Sequence, residues 1–158
     1  MHYWLMKTEP DTFGVDDLAA APRSTTSWDG VRNYQARNMI RDDMKRQDLA
    51  FLYYSSTDVP GIVAVMEIVK EGYPDTTAFD RKDHHYDPGS DPAKPRWFMV
   101  DVRLKRRLTR VITLEELRKH AAKELQGMVL LRPGTRLSVM PVEAAHWKFI
   151  LSLEGARE

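Results

Sequence analysis

The residues of this chain best suited to chemistry are aromatic and polar. Lys7-Thr8 follow a first apolar run, and Trp28 to Tyr34 (WDGVRNY) crowd a helix entrance. Tyr53 to Ser56 end a third apolar segment, Trp97 opens a later strand, and Arg136 and Ser138 lie in another. An aromatic face rimmed by donors and acceptors is what a flat heterocycle requires: a wall to stack on and partners for its polar edge. These positions fall at strand ends and turns, where binding groups are usually displayed. Two readings of Trp28 compete. It plugs the core beside a turn, the commoner role for one tryptophan, or it walls a pocket. Lys7 alone is likewise more often a solvated lysine than a ligand contact.

Signatures of other chemistries are missing. The chain has no phosphate-cradling glycine loop, nucleophile elbow or His-Glu-x-x-His, so an enzyme is not expected. Asp83-His84-His85-Tyr86-Asp87 holds imidazole and carboxylate groups, but adjacent side chains tend to point apart and no further Cys or His at ligand spacing supports them. Neither metal nor cofactor is therefore expected. Asp16-Asp17 and Asp42-Asp43 are neighbours in candidate helices and do not face each other. Arg103, Lys105, Arg106, Arg107 and Arg110 (RLKRRLTR) read first as a solvated strand end, with a strip of phosphate contacts as the alternative.

The totals narrow the field further. The 158 residues, 42% hydrophobic and 30% charged, predict one compact domain spanning 1–158. No apolar run approaches the roughly 20 residues of a membrane span, so no membrane role is expected. A net charge of +1 argues against broad phosphate-driven binding, because each neutralised phosphate needs a Lys or Arg. A nucleic-acid role must then rest on a local patch or on the grip of one base. The absence of cysteine excludes disulfides, and without a signal-peptide pattern the protein is expected in the cytoplasm.

The elements that must position these groups follow from periodicity. Tyr3 to Met6 reads as a strand stopped before Pro10, and Gly14 to Ala20 as one helical turn. Tyr34 to Lys45 reads as a helix with Tyr34, Met39, Ile40 and Met44 on its apolar side. Leu49 to Tyr54 and Gly61 to Val69 are strands by composition. Tyr73 to Pro95, with four prolines and five aspartates, is a long irregular loop of the kind that is more often functional than idle. Phe98, Val100, Val102 and Leu104 alternate with Met99, Asp101, Arg103 and Lys105 as a half-buried strand. Thr113-Leu-Glu-Glu116 caps a helix expected to reach about Leu125. A strand over Arg136 to Val139 and a helix opened by Pro141 complete the chain. Strands and helices do not alternate regularly, which predicts a mixed α+β domain around a curved sheet or small barrel.

Six segments together resemble the EVE domain family of the PUA-like fold. YWLMKTEP, SWDGVRNYQARN, FLYYSS, GIVAVMEI, PRWFMVDV and RLSVMPV occur in the family's order, almost end to end. Thr8 stands for the usual serine, Tyr54 for a common histidine, and Gln47 for a common glycine before Asp48. The resemblance implies a reader of modified nucleobases, similar in fold to the YTH domains that cage N6-methyladenosine between aromatic rings. It implies that Lys7, Thr8, Trp28, Gly30, Val31, Arg32, Asn33, Tyr54, Ser55, Trp97, Arg136 and Ser138 surround the base. Phe79 or Tyr86 of the long loop would then supply a second wall. Stacking is worth about 1–3 kcal/mol per base, enough to hold one flipped nucleotide without a strongly basic surface. The expected partner is DNA or RNA carrying a modified base, most plausibly a cytosine derivative, with later action left to a separate effector protein. A metabolite sensor using the same pocket is the alternative.

Overall fold

A computed structural model describes residues 1–155 of the chain. Six strands form one mixed sheet in the order β2-β5-β4-β3-β1-β6. They are β1 (Tyr3–Thr8), β2 (Thr25–Ser27), β3 (Leu49–Tyr54), β4 (Gly61–Pro74), β5 (Phe98–Thr113) and β6 (Val139–Val142). Only β1 and β3 run parallel, in the register Lys7↔Tyr53 and Thr8↔Tyr54. The α+β class is as expected, and of the two expected forms it is the open sheet. β2 and β6 remain its edges.

Alternation along the central strands makes two cores. Trp4 and Met6 of β1 with Ala50 and Leu52 of β3 build the first, which α1 (Val15–Ala20) and α2 (Tyr34–Asn38) cover through Leu18 and Ala36. Leu5, Phe51 and Tyr53 point to the second, which is covered by Leu117 of α3 (Leu114–Arg118) and by Trp147, Ile150 and Leu153 of α4 (Ala144–Leu153). The Trp147 ring lies flat on Phe51, centroids 3.8 Å apart. Lys7 and Thr8, adjacent in sequence, therefore leave the sheet on opposite faces.

Several boundaries move for identifiable reasons. β4 and β5 extend past their apolar halves as a long ribbon, whose repeated register shifts break the alternation that marks a strand. Helix α2 widens into a π-helical stretch over Met39–Asp43, closed by the Met44 N–H donating to the Met39 carbonyl at 2.9 Å. α3 ends at Arg118 instead of near Leu125, because the following N–H groups reach back three residues, as in His120 to Leu117 at 3.0 Å. The last strand is Val139–Val142, and Pro141 sits inside it opposite Trp4 rather than at a helix start. Proline is accepted there because β6 is an edge with one unpaired side. Gln47 adopts φ +77°, the left-handed conformation that suits the glycine common at this position.

Candidate functional site

The turn between β2 and α2 is over-determined by its surroundings. The Trp28 N–H donates to the Val100 carbonyl at 2.7 Å, and the indole is only 8% exposed within the first core. Gly30 has φ +78°, and a Cβ there would lie 2.4 Å from Nε2 of His85. Only glycine fits. The Gly30 N–H donates to Oδ2 of Asp75 at 2.8 Å, and Nη1 of Arg32 donates to the same oxygen at 3.0 Å. Oδ1 of Asp75 accepts from the Thr77 N–H at 2.9 Å and from its hydroxyl at 2.6 Å. Burial alone would push this carboxyl up, but the Thr77 hydroxyl, the Gly30 amide and the Arg32 guanidinium together hold it below the usual carboxylate range. Arg32 also donates from Nη2 to the His85 carbonyl at 2.7 Å, so its guanidinium is committed inside the protein. Val31 is buried, and Asn33 caps α2 by accepting the Ala36 N–H at 3.0 Å, leaving its amide nitrogen at an exposed position.

Trp97 belongs to the same assembly. Its indole N–H donates to Oδ2 of Asp87 at 2.7 Å. Its ring stacks on Tyr34 at 4.9 Å and 28°, with Arg32 5.4 Å over Trp97 and Arg37 5.0 Å over Tyr34. Tyr34 is 53% exposed, which corrects its assignment to the apolar side of the helix; it packs outward against the loop. Phe79 and Tyr86 are half-buried in that loop, and among the described residues neither ring pairs with Trp28.

The strand ends form a second group. The Thr8 hydroxyl donates to the Phe13 carbonyl at 2.9 Å, the Ser55 N–H donates to the Thr8 carbonyl at 2.9 Å, and the Tyr54 hydroxyl accepts the Val15 N–H at 2.8 Å. Tyr54 thus ties β3 to the start of α1. Lys7 lies on the other face, its ammonium 5.9 Å above the Tyr53 ring, in a cleft of about 470 Å³ shared with Arg118, Arg132 and the 133–135 turn. Ser138 gives that strand end its carbonyl, accepting the Lys7 N–H at 2.8 Å, while Arg136 is exposed. The anticipated constellation is therefore split over two faces of the sheet.

The basic run is largely paired: Arg103 with Glu67 at 2.7 Å, Arg106 with Glu154 at 2.9 Å, Arg107 with Asp16 at 2.6 Å and Arg110 with Glu116 at 2.7 Å. That geometry favours a solvated, self-neutralised ribbon over a phosphate strip, with Lys105 exposed beside it. Asp83, His84 and His85 do converge, against the expectation for neighbours, with candidate ligand atoms all within 4.8 Å of one another. His85 nonetheless packs its ring on Gly30. The sequence does not single out Asp75, and it offers His85 and Asp87 only as metal ligands, because a loop with many aspartates does not show which of them turn inward. The sequence does not join Arg118 and Arg132 to Tyr53, because they meet only in the fold.

Comparison with known proteins places the chain. The EVE domain model matches residues 2–153. Rat thymocyte nuclear protein 1 is 48% identical over 98% of this chain and 74% of its own length. Human THYN1 protein in complex with 5-methylcytosine-containing DNA superposes with a TM-score of 0.96 at 43% identity, covering both chains completely. The DUF55 domain of human thymocyte nuclear protein 1 superposes at 0.91 with 48% identity, covering 98% of this chain and 99% of that one. The rat and mouse relatives are named nuclear proteins, which overturns the cytoplasmic expectation. Matched from its second residue to residue 153, this chain belongs to the EVE domain family.

Proposed function

We propose that the protein binds DNA and reads a modified cytosine, without catalysing a reaction itself. One observation carries this reading: the end-to-end structural likeness to human THYN1 in complex with 5-methylcytosine-containing DNA. The local geometry supports it. The Trp28–Asn33 turn is held by a buried carboxylate, a glycine that only glycine can replace, and a helix cap, and a site held this rigidly loses little entropy when a base docks. In this reading Trp28 backs the site, Asn33 offers its exposed amide N–H groups to the base edge, and Thr8, Tyr54 and Ser55 shape the neighbouring strand end. A methyl on the ring is sensed through the apolar volume it fills.

The metabolite-sensor alternative draws on the net charge of +1 and on the cleft of about 470 Å³. Titration with oligonucleotides carrying cytosine, 5-methylcytosine, 5-hydroxymethylcytosine or N6-methyladenine, followed by tryptophan fluorescence, separates the two. A reader shows modification-dependent quenching with a steep salt dependence, since counterion release needs a polyanion. A sensor answers to free nucleosides or metabolites and ignores every oligonucleotide.

A further inference from the structure

The cleft on the second face of the sheet is unlike any other part of the surface described above. It is lined by Lys7, Tyr53, Arg118 and Arg132, with the Pro133-Gly134-Thr135 turn at its rim. Among the described residues no carboxylate lines it. The ammonium of Lys7 is half-buried, pairs with no carboxylate among the described residues, and lies 5.9 Å from the Tyr53 ring centroid. Neither the Tyr53 hydroxyl nor the Arg118 guanidinium makes a hydrogen bond or ion pair with another described residue. Arg132 reaches only the Gly127 carbonyl, at 3.3 Å. A Cβ on Gly134 would meet nothing within 4 Å, so the turn stands open to the cleft. By contrast, Arg32, Arg96, Arg103, Arg106, Arg107 and Arg110 each meet a carboxylate. Three cations and a phenol lining one cleft favour an anion there. Burial draws the Lys7 ammonium below its ordinary pKa, and a bound anion would reverse that.

We propose that this cleft binds a phosphodiester of the DNA strand whose modified base is read at the Trp28 turn, an inference that rests on the reading given above. Lys7 and Thr8 make the link. They are consecutive on β1 but face opposite sides at the same sheet end, beside Tyr53 and Tyr54, so a strand crossing that end meets both faces. Arg118 and Lys7 neutralise the phosphate, and the Tyr53 hydroxyl donates to one of its oxygens.

The test uses the full chain with Arg118→Gln and the double variant Arg118→Gln/Arg132→Gln; both side chains are exposed, and thermal melting confirms the fold. Affinity for matched 5-methylcytosine and cytosine duplexes is measured from low to moderate salt. The expected result is an equal loss on both duplexes, about tenfold for the double variant, and a slope of log K against log salt that falls by about 0.9 for the lost phosphate, the preference for the methylated duplex being unchanged. Unchanged affinity and slope in the double variant overturn the proposal while leaving the base reading intact. Wild-type protein without methyl preference, whose slope still falls in the variants, sinks the base reading and keeps the phosphate site. Inorganic phosphate and cytidine monophosphate are titrated in parallel by NMR. If they shift the Tyr53 and Gly134 signals strongly while the variants bind duplex normally, the cleft serves a small phosphate ligand and the strand contact is wrong.

Discussion

The Trp28–Asn33 turn and the Lys7–Arg118 cleft are both polar, yet they treat their polar groups in opposite ways. At the turn most polar groups have an internal partner: the Gly30 amide and Arg32 donate to Asp75, the Trp97 indole donates to Asp87, and the Asn33 side-chain oxygen accepts the Ala36 N–H. In the cleft, charges are gathered and left unmatched. A satisfied network fixes shape, because an unpaired buried polar group costs free energy. An unmatched cluster of cations instead favours whatever anion arrives. One region is a rigid support for recognition, and the other is a contact waiting for charge.

Substitutions break this contrast in a definite order. Trp28→Ala empties a core position at 8% exposure and is expected to cost about 3–5 kcal/mol of stability, read by urea unfolding. Trp28→Phe keeps most of the packing; it is expected to fold and to show a weaker methyl preference. Asp75→Ala strands Arg32 and the Gly30 amide, and because Arg32 is 24% exposed the loss is expected at about 3 kcal/mol, the low end for a broken buried pair. The same carboxyl sets a pH dependence. Its folded pKa lies below the unfolded one, so its contribution is full above the unfolded value near 3.9 and fades as pH falls through the folded value. Asp75→Asn, which cannot ionise, is expected to flatten that part of the acid-unfolding profile. Tyr34→Ala is the mildest. The ring is half-exposed on Trp97, so about 1 kcal/mol or less is expected in thermal melts, and a larger loss would place Tyr34 within the support.

How far these regions can be read from the sequence differs for a physical reason. The WDGVRN turn announces itself because Asp-Gly, a capping Asn and a Trp have local meanings, and Gly30 and Asn33 take the conformations those meanings require. The half-buried alternation of Phe98 to Leu104 and the cap at Thr113 are legible for the same reason. What holds the turn is not local: Asp75 lies 43 residues from Arg32, and no pattern in a loop of many aspartates selects it. The exposure of Tyr34 was hidden because helical spacing matches both an inward stripe and a ring laid against a loop. The cleft was hidden more deeply, since Lys7, Tyr53, Arg118 and Arg132 come from four segments. The splitting of Lys7 from Thr8 follows from strand alternation, but it becomes visible only when the strand is known to be covered on both faces.

The central claim is that the protein distinguishes a modified cytosine in DNA. The most direct measurement is the ratio of its dissociation constants for two duplexes that differ only in one 5-methyl group, in the wild type and in Trp28→Phe. A methyl sensed by an apolar pocket gives a preference of about tenfold, and the substitution should reduce it. Equal affinity for the two duplexes in the wild type, at every salt concentration, would contradict the account.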